Sequence, residues 1–533
     1  MTTPTIAKSV LTDRNSVYKA RDVIEIFIPP EDVPILNPKE TYLKGIVQLS
    51  GNSLAHPDPR AGVHSLIREV QIYDGQNQQL LEQLENYNVW TAQSMHYNKT
   101  PGLNNLRALM EGQDKVEGTF VSSLYWDAPI GGDITYKPVE FCIPLHMSGI
   151  LNGDSVFPCI LTNGLRIRIT LEDADRSLTV LSQVGVATQE GGAPNSKQAG
   201  PPNATDLGKL VHSTAGLGND GSFFELKTAI GAGALTSIEL EEDPNAITAP
   251  NTAATDQTLS FRKGMKVGVL TDAGEMLCLG DITSITEAGG VYSVNFASLT
   301  IAAGDVAAVA QKVFVYGGNF TADYEVRNID MVCSVVQADS QQLNAMVSKV
   351  NSGSVKLDYA SFNIYRDNLN ARVNRPNIDF NTTEHRAMSI LSFPMDTTND
   401  LLVSNYRPVR DGLTSYQYNI ANRLTPNRRV DTTRVGGRVD GYGWNAVHQH
   451  EIEKALKRWK TPPRFLAWNK EAFGIGRQLA KVGHSFNAND QDVRLNLEYS
   501  TAADDNTKEK LLNTWVYHIR TLVISPGSVA VMY

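Results

Sequence analysis

The most metal-like local cluster in the sequence is His448-x-His450-Glu451, since imidazole and carboxylate groups are common zinc ligands. The segment HQHEIEKALKRWK (448–460) predicts a helix that ends before Pro462-Pro463. Residues two apart on a helix point about 200° away from each other, so the two histidines cannot bind one metal ion from one helical face. The HExxH zinc motif is absent. We therefore expect a surface or capping role for this cluster.

Two further patterns contain residue types that support catalysis or cofactor binding in other proteins. Gly474-x-Gly476 lacks the third glycine of the dinucleotide fingerprint and follows no strand of a βαβ unit, which indicates loop glycines. Asp173 and Asp175 lie in a predicted turn, where carboxylates are usually solvated. Phosphate-binding loop, nucleophile-elbow and EF-hand patterns are absent, although a glycosidase carboxylate pair from distant strands stays an open alternative. The sequence predicts a protein that is not an enzyme, with no catalytic, cofactor-binding or metal-binding residues.

Length and composition set the broad class of the protein. With 533 residues, of which 41% are hydrophobic and 20% charged, the chain is long enough for roughly two to four globular domains with apolar cores. The formal net charge is −9, from 48 basic and 57 acidic side chains. This balance argues against a protein that binds the phosphate backbone of nucleic acids, so we expect no specific nucleic-acid binding.

The cysteines and the apolar runs bear on where the protein is made. None of the four cysteines forms a CxxC pair, and Cys142, Cys159 and Cys333 lie in strand-like apolar runs. This pattern predicts small buried thiols in a reducing compartment. No apolar run reaches the ~18–20 residues of a transmembrane helix, and the first residues have no apolar signal-peptide core. We expect a soluble protein synthesised in a cytoplasm.

Residues 63–97 contain a clear change of hydrophobic period. Leu66, Val70 and Ile72 fall on one face of a predicted half-buried strand. Asp74-Gly75 ends that strand with turn chemistry. A stripe at helical spacing then predicts a short amphipathic helix: Leu80, Leu81, Leu84 and Tyr87. We interpret Tyr87, Asn88 and Trp90 as packing or subunit-contact residues.

The first 180 residues predict a β-sandwich or jelly roll. LRIRITLED (165–173) alternates apolar and polar residues, which is typical of an antiparallel sheet with one solvated face. Strand patterns also occur at 22–30, 41–51 and 139–151. Long turn-rich connections between such strands are typical of a two-sheet architecture.

An insertion and a second set of strands follow. The Gly/Pro/Ala/Asn-rich segment 187–206 predicts a linker, and four short strand patterns between 261 and 316 predict a small β-barrel. The strand pattern of 324–337 returns to the first sheet, and 340–353 predicts a helix. Residues 355–527 then repeat the order of the first half: strands, a helix, a long excursion and a terminal strand.

Four segments carry a resemblance to a known family. HSLIREVQIYDGQNQQLLEQLENYN, LRIRITLED, YEVRNIDMVCSVV and SYQYNIANRLTPNRRV resemble segments of double jelly-roll major capsid proteins, especially those of virophages and polinton-like viruses. These are related to the large eukaryotic DNA virus and adenovirus-hexon lineage. The resemblance covers roughly 20–182 and 324–533. It implies a homotrimer of pseudo-hexagonal outline that tiles an icosahedral shell, in contact with neighbouring capsomers, penton proteins and minor capsid proteins.

The predicted fold is mainly β, with two jelly-roll β-sandwich domains in tandem, short helices and an inserted small β-barrel-like domain. Residues 1–20 are assigned to an N-terminal arm, 21–340 to the first jelly roll and 341–533 to the second. Residues 183–323 form an inserted tower domain that interrupts the first jelly roll. The predicted function is that of a structural capsid protein in the virion shell, assembled in a host cell. Two alternatives stay open: a viral receptor-binding spike or carbohydrate-binding β protein, and a carbohydrate-active enzyme with a jelly-roll accessory domain.

Overall fold

The computed structural model describes most of the chain. The described residues are 5–11, 16–51, 55–58, 60–98, 110–112, 125–127, 135–180, 197–198, 224–240, 265–273, 275–318, 321–397, 406, 408–432, 446–457, 473–480, 484–489, 491–502, 506 and 509–532. Most of the predicted 187–206 linker lies outside these ranges.

The first sandwich is formed by strands on both sides of the insertion. Its strands are β1 Thr5–Leu11, β2 Val17–Lys19, β3 Val23–Ile28, β4 Leu36–Gly51, β5 Ala55–Pro57, β6 Ile67–Asp74, β7 Leu80–Glu85, β8 Trp126–Asp127, β9 Thr135–Tyr136, β10 Val139–Ile143, β11 Leu165–Leu171 and β12 Leu178–Val180. Its helices are α1 Tyr87–Asn98, α2 Ala174–Ser177 and the 3-10 helices Gly62–Leu66 and Cys159–Thr162.

The insertion and the second sandwich follow in chain order. The insertion contains β13 Lys197–Gln198, β14 Phe224–Glu225, β15 Gly233–Leu240, β16 Met265–Leu270, β17 Met276–Ala288, β18 Val291–Ile301 and β19 Lys312–Gly318, after which β20 Ala322–Val336 returns to the first sandwich. The second sandwich contains β21 Val355–Leu369, β22 Asn377–Phe380, β23 Ala387–Asp396, β24 Leu413–Ile420, β25 Arg423–Asp431, β26 Ile475–Gln478, β27 Val493–Tyr499, β28 Lys510–Ser525 and β29 Ser528–Met532. The predicted helices are present as α3 Ser340–Asn351 and α4 Ala446–Lys457.

Strand order identifies both sandwiches as jelly rolls. The first pairs its strands as β1-β20-β4-β10 and β3-β11-β6-β7, and the second as β21-β28-β23-β26 and β22-β27-β24-β25. The two orders correspond strand for strand, and adjacent strands in each order pair antiparallel. Two facing sheets connected in this order are the double Greek key of a jelly roll. The prediction of two jelly-roll sandwiches is therefore confirmed.

The period-two alternation places the core between the facing sheets. Ile24, Ile26 and Ile28 of β3 are buried while the residues between them are exposed. Alternate residues of β11 are also buried, which confirms the alternation predicted for 165–171. Each buried aliphatic side chain contributes roughly 1.5–3 kcal/mol through removal from water.

The helix predicted from the stripe Leu80, Leu81, Leu84 and Tyr87 is wrong over residues 80–86. Residues 80–85 form β7, which pairs with β6 through a turn in which Asp74 Oδ1 accepts the Gln78 and Gln79 N–H groups at 2.7 and 3.0 Å. Asn86 has a φ of 49°, in the left-handed region, and the helix α1 begins only at Tyr87. The leucine spacing fits a strand here because β7 also packs against β21 of the second sandwich, so that Leu81, Glu82 and Leu84 are all buried.

The insertion contains a closed barrel with a core of its own. Its strand order is β14-β19-β16-β17-β18-β15, with β13 beside β17. The Lys227 N–H donates to the Glu239 carbonyl at 2.9 Å, and Leu226 and Leu240 form a bridge that joins the two ends of this order. Val267, Leu279 and Val294 belong to a buried cluster separate from the sandwich cores. The predicted barrel-like insertion is confirmed.

The domain boundaries stay a prediction, to which strand pairing adds one detail. Residues 5–11, within the predicted N-terminal arm, form β1 and pair along β20 from Thr5–Val336 to Leu11–Asp330. Across the described ranges, no helix is both long and apolar enough to cross a membrane.

Candidate functional site

The feature that distinguishes this chain from a single jelly roll is the interface between its two sandwiches. Helix α1 of the first sandwich carries Trp90, whose side chain is buried. The Trp90 ring lies 5.6, 6.3 and 5.3 Å, centroid to centroid, from three rings of the second sandwich: Phe362, Phe393 and Trp515. One hydrophobic core therefore extends across both sandwiches. Trp90 has the packing role predicted for it.

Polar contacts fix α1 against a segment of the second sandwich at Tyr406. The Asn88 amide donates to Glu172 Oε2 at 2.8 Å and to the Tyr406 hydroxyl oxygen at 3.0 Å. The Tyr406 hydroxyl donates to the Ser65 carbonyl at 3.2 Å, and the Gln93 amide donates to the Tyr406 carbonyl. Burial, with the Glu172 carboxylate as a second cause, raises the pKa of Tyr406 well above its usual value. The hydroxyl therefore stays protonated and keeps its donor.

Strands β7 and β21 form the second part of the interface. The Tyr359 hydroxyl donates to the Leu81 carbonyl, and Arg366 lies 3.3 Å from Glu85. Gly149 allows a close backbone approach, since a Cβ at this position would lie 1.9 Å from the Ala360 carbonyl oxygen. The two backbones are therefore held at a fixed distance.

A buried carboxylate supports the Gly149 turn. Glu82 on β7 accepts hydrogen bonds from the Ser148 hydroxyl and from the Gly149 N–H, the latter at 2.9 Å. Burial raises the pKa of the Glu82 carboxyl, and these hydrogen bonds and the Arg520 charge oppose that rise. Glu82 thus ties β7 to the turn that meets the second sandwich.

A cleft of about 270 Å³ lies along the same interface. Its lining comes from both sandwiches and includes Tyr87, Trp90 and Met147 from the first and Phe362, Trp515 and Arg520 from the second. Most of the lining side chains are aromatic rings or the carboxamides of Asn and Gln, which are typical of side chains that pack two sandwiches together.

The His448 cluster is only partly at the surface. His448 is buried, with Nδ1 3.1 Å from the Tyr416 hydroxyl and its ring stacked on Phe473 at 5.4 Å. Burial, followed by the Arg410 charge, lowers the pKa of His448 to about 3. The predicted surface or capping role is therefore wrong for His448, because α4 turns this residue toward the sandwich. His450 is exposed as predicted.

The other sequence patterns have structural positions. The prediction of loop glycines is wrong for Gly476, which lies in β26. A Cβ there would meet Leu391 Cδ2 at 2.9 Å and Ala455 Cβ at 3.0 Å, so this glycine permits α4 to cross the sheet closely. Asp173 precedes α2 and forms an ion pair with the exposed Arg21. Asp175 is exposed on α2. These residues do not converge on a common site in the described part of the chain.

One cluster of ligand-type side chains was missed by the sequence patterns. His64, Glu111 and His146 offer ligand atoms that all lie within 4.8 Å of one another. These residues are 47 and 35 positions apart, so no local spacing motif could reveal them. The fold brings them together at the first sandwich, beside Tyr87.

Comparisons with known proteins give similarity in fold. No protein-family model matches the chain, and no curated protein matches it. Among solved structures, the chain is similar to VP54 of PBCV-1 fitted into a reconstruction of the virophage Sputnik, at 10% identity and a TM-score of 0.49, over 100% of this chain and 98% of that one. The PBCV-1 virus capsid gives 9% identity and a TM-score of 0.49 over 100% and 98%. The mavirus major capsid protein gives 8% identity and a TM-score of 0.35 over 99% and 90%.

These structures are of the class that the sequence segments resemble. The assignment of the architecture rests on the strand order of the two sandwiches, which is read from this chain directly. The chain has a double jelly-roll fold with a β-barrel inserted between the last two strands of the first roll.

Proposed function

We propose that this chain is a structural major capsid protein that assembles as a homotrimer. The observation that carries the proposal is the side-by-side fusion of two jelly rolls with the same strand order and a shared core. Three chains with two similar sandwiches each would place six similar units around a threefold axis, which gives a pseudo-hexagonal outline. Such units can tile an icosahedral shell.

Rigidity of the interface supports this proposal. A capsomer must hold its two sandwiches at a constant angle, because an error of a few degrees accumulates across a lattice. The Trp90 cluster, the Tyr406 hydrogen bonds and the close approach at Gly149 fix that angle through apolar, polar and backbone contacts. A receptor-binding module has no such requirement for two fused sandwiches.

Open sheet edges support assembly as well. β25 ends the order of its sheet, and Leu424 on this strand is exposed. An edge strand presents unpaired backbone N–H and C=O groups that can pair with another chain, which is a liability in a monomer. In a shell, neighbouring subunits would cover such edges.

The insertion 183–323 fits the position of a tower. Its barrel has its own core and joins the first sandwich between β12 and β20, at one end of the roll. We infer that it projects from the capsomer toward solvent. Replacing residues 187–320 by a short Gly-Ser linker preserves β20 and should leave the trimer intact. The substitution Val294→Asp should unfold the barrel, and the chains should still form the trimer. Loss of soluble trimer in both variants would place the insertion in the assembly core.

We further propose the virion shell as the location of the protein, with neighbouring capsomers, penton proteins and minor capsid proteins as partners. A capsid role requires no enzymatic activity and no cofactor. Assembly would take place in the host cell.

Mass and shape test the assembly directly. Size-exclusion chromatography with light scattering should give about 175 kDa, the mass of three 58.4-kDa chains. Negative-stain images should then show flat pseudo-hexagonal particles. Elongated spikes, or a stable monomer at all concentrations, would contradict the proposal and favour the receptor-binding or carbohydrate-binding alternative. Glycan turnover abolished by one Asp or Glu substitution would favour the enzyme alternative.

A further inference from the structure

The His64, Glu111 and His146 cluster has the composition and geometry of a metal site. We propose that these three side chains bind one divalent transition-metal ion, zinc by ligand type, which fastens the segment containing Glu111 to the first sandwich. Two imidazoles and one carboxylate are a ligand set that zinc accepts, with a fourth position open to water. The proposal is independent of the capsid assignment.

The spacing of the ligand atoms supports an ion between them. His64 Nε2 lies 3.4 Å from Glu111 Oε2, and His146 Nε2 lies 3.5 Å from Glu111 Oε1. A charge-assisted hydrogen bond between such groups is about 2.7–2.9 Å long. Ligand atoms around a tetrahedral ion with metal–ligand bonds of roughly 2.1 Å are about 3.4 Å apart. These two distances, which end on different oxygens of Glu111, are closer to the second value than to the first, and all three ligand atoms lie within 4.8 Å of one another.

The surroundings of His64 select the nitrogen that faces the cluster. His64 Nδ1 lies 2.9 Å from the Tyr87 hydroxyl, and that hydroxyl lies 3.4 Å from the Pro144 carbonyl oxygen. Because the Tyr87 hydroxyl donates its proton to the Pro144 carbonyl, it accepts a hydrogen bond from His64 Nδ1–H. In this tautomer Nε2 of His64 carries a lone pair, which is directed at Glu111. Outer partners of this kind orient metal-binding histidines in many proteins.

The cluster can be reached from one side. The Glu111 side chain is 3% exposed and that of His146 is 19% exposed, so an ion can enter from the His146 side.

The backbone is shaped to bring Glu111 to this place. Gly112 has a φ of 66°, and a Cβ there would lie 2.2 Å from the Tyr125 hydroxyl oxygen and 3.3 Å from Val63 Cγ2. Val63 is in the same 3-10 helix as His64. The absence of a side chain at Gly112 thus lets the Glu111 segment lie directly against the His64 helix.

Zinc and cobalt binding to the full-length protein test the site. Protein treated with a chelator and dialysed should take up one Zn²⁺ per chain by elemental analysis, and its melting temperature should rise with added Zn²⁺. Co²⁺ in the same site should give the visible absorption of a tetrahedral complex. Glu111→Gln and His146→Gln should each abolish stoichiometric uptake, and Tyr87→Phe should weaken it about 10-fold or more. His450→Asn, which changes an exposed histidine outside the cluster, is the matched control.

Three outcomes would overturn the proposal. These are the absence of Zn²⁺ uptake by the parent protein, uptake that Glu111→Gln and His146→Gln leave unchanged, or loss of uptake in the His450→Asn control alone. If the variants lower the melting temperature equally with and without Zn²⁺ while the parent binds none, the cluster is a hydrogen-bonded His–Glu–His arrangement. His146→Gln keeps the test decisive if a variant of the buried Glu111 fails to fold, because His146 is partly exposed.

Discussion

Truncation of Trp90 tests whether the two sandwiches form one mechanical unit. Trp90 is 2% exposed and contacts three aromatic rings of the second sandwich. Removing a buried Trp or Phe side chain to Ala costs about 3–5 kcal/mol, from lost burial and from the cavity left behind. Because each aromatic pair adds roughly 0.5–1.5 kcal/mol beyond burial, we expect Trp90→Ala to lie near the upper end, at about 4–5 kcal/mol.

Urea unfolding followed by circular dichroism and tryptophan fluorescence measures this loss. With a slope of about 3 kcal/mol per molar urea, a loss of 4 kcal/mol lowers the midpoint by roughly 1.3 M. Trp90→Phe keeps an aromatic ring in the cluster and should lose less than half as much. Val156→Ala is the control, since Val156 is 51% exposed and surface changes usually stay within about 0.5 kcal/mol.

The outcome of the same experiment can refute the shared core. If Trp90→Ala unfolds within about 1 kcal/mol of the parent protein, the aromatic cluster does not join the sandwiches. If Trp90→Ala is destabilised and circular dichroism and tryptophan fluorescence report separate transitions, one sandwich unfolds without the other. The aromatic cluster is then the contact that couples the unfolding of the two sandwiches.

Three further predictions concern the interface and the second sandwich. Gly149→Ala should destabilise the protein by at least about 2 kcal/mol in urea unfolding, because its Cβ would collide with the Ala360 carbonyl; wild-type stability would show that the turn can move away. For His448, the unfolded chain takes up a proton below pH 6.5 while the folded chain does so only near pH 3, so stability falls as pH falls through this window. At pH 5 the stability lost in this way is about 2 kcal/mol. His448→Gln should therefore reduce by that amount the difference in unfolding free energy between pH 7.5 and pH 5.0, as measured by thermal melts. If the difference is the same in the variant and the parent, the lowered pKa of His448 is contradicted. Lys510 is fully buried, and its Nζ lies 2.6 Å from Asp411 Oδ2. Lys510→Met should therefore cost about 3–5 kcal/mol of stability, and adding Asp411→Asn should restore part of that loss. Additive losses in a double-mutant cycle would show that the pair is not coupled.

Local patterns predicted the elements whose surroundings are simple. β11 has one buried and one open face, so its alternation was visible in the sequence. β7 is covered by the core on one face and by β21 on the other, so its leucines lost the period of two and matched a helix instead. The helix was predicted wrongly because the burial of β7 depends on β21, which is distant in sequence and does not appear in the pattern of residues 80–87.

Contacts between distant residues could not be predicted for the same reason. The helical period of α4 was visible, but the face that turns His448 inward depends on Tyr416 and Phe473, which lie outside the helix. His64, Glu111 and His146 share no spacing motif and meet only after the first sandwich has formed. Side-chain type indicated possible ligands, and only the fold indicated which of them are neighbours.

The position of β20 has a consequence for synthesis of the chain. β20 is the partner of β1, β2 and β4, so the first sandwich lacks a central strand until residue 336 has been made. About 140 residues separate β12 from β20, and at a translation rate of about 5–20 residues per second they take roughly 7–28 s. Through this interval β4 presents an unpaired edge on the ribosome, while β14 to β19 can already pair within 224–318. The barrel is therefore complete before the first sandwich into which it is inserted. During this interval the unpaired edge of β4 is most exposed to pairing with another nascent chain.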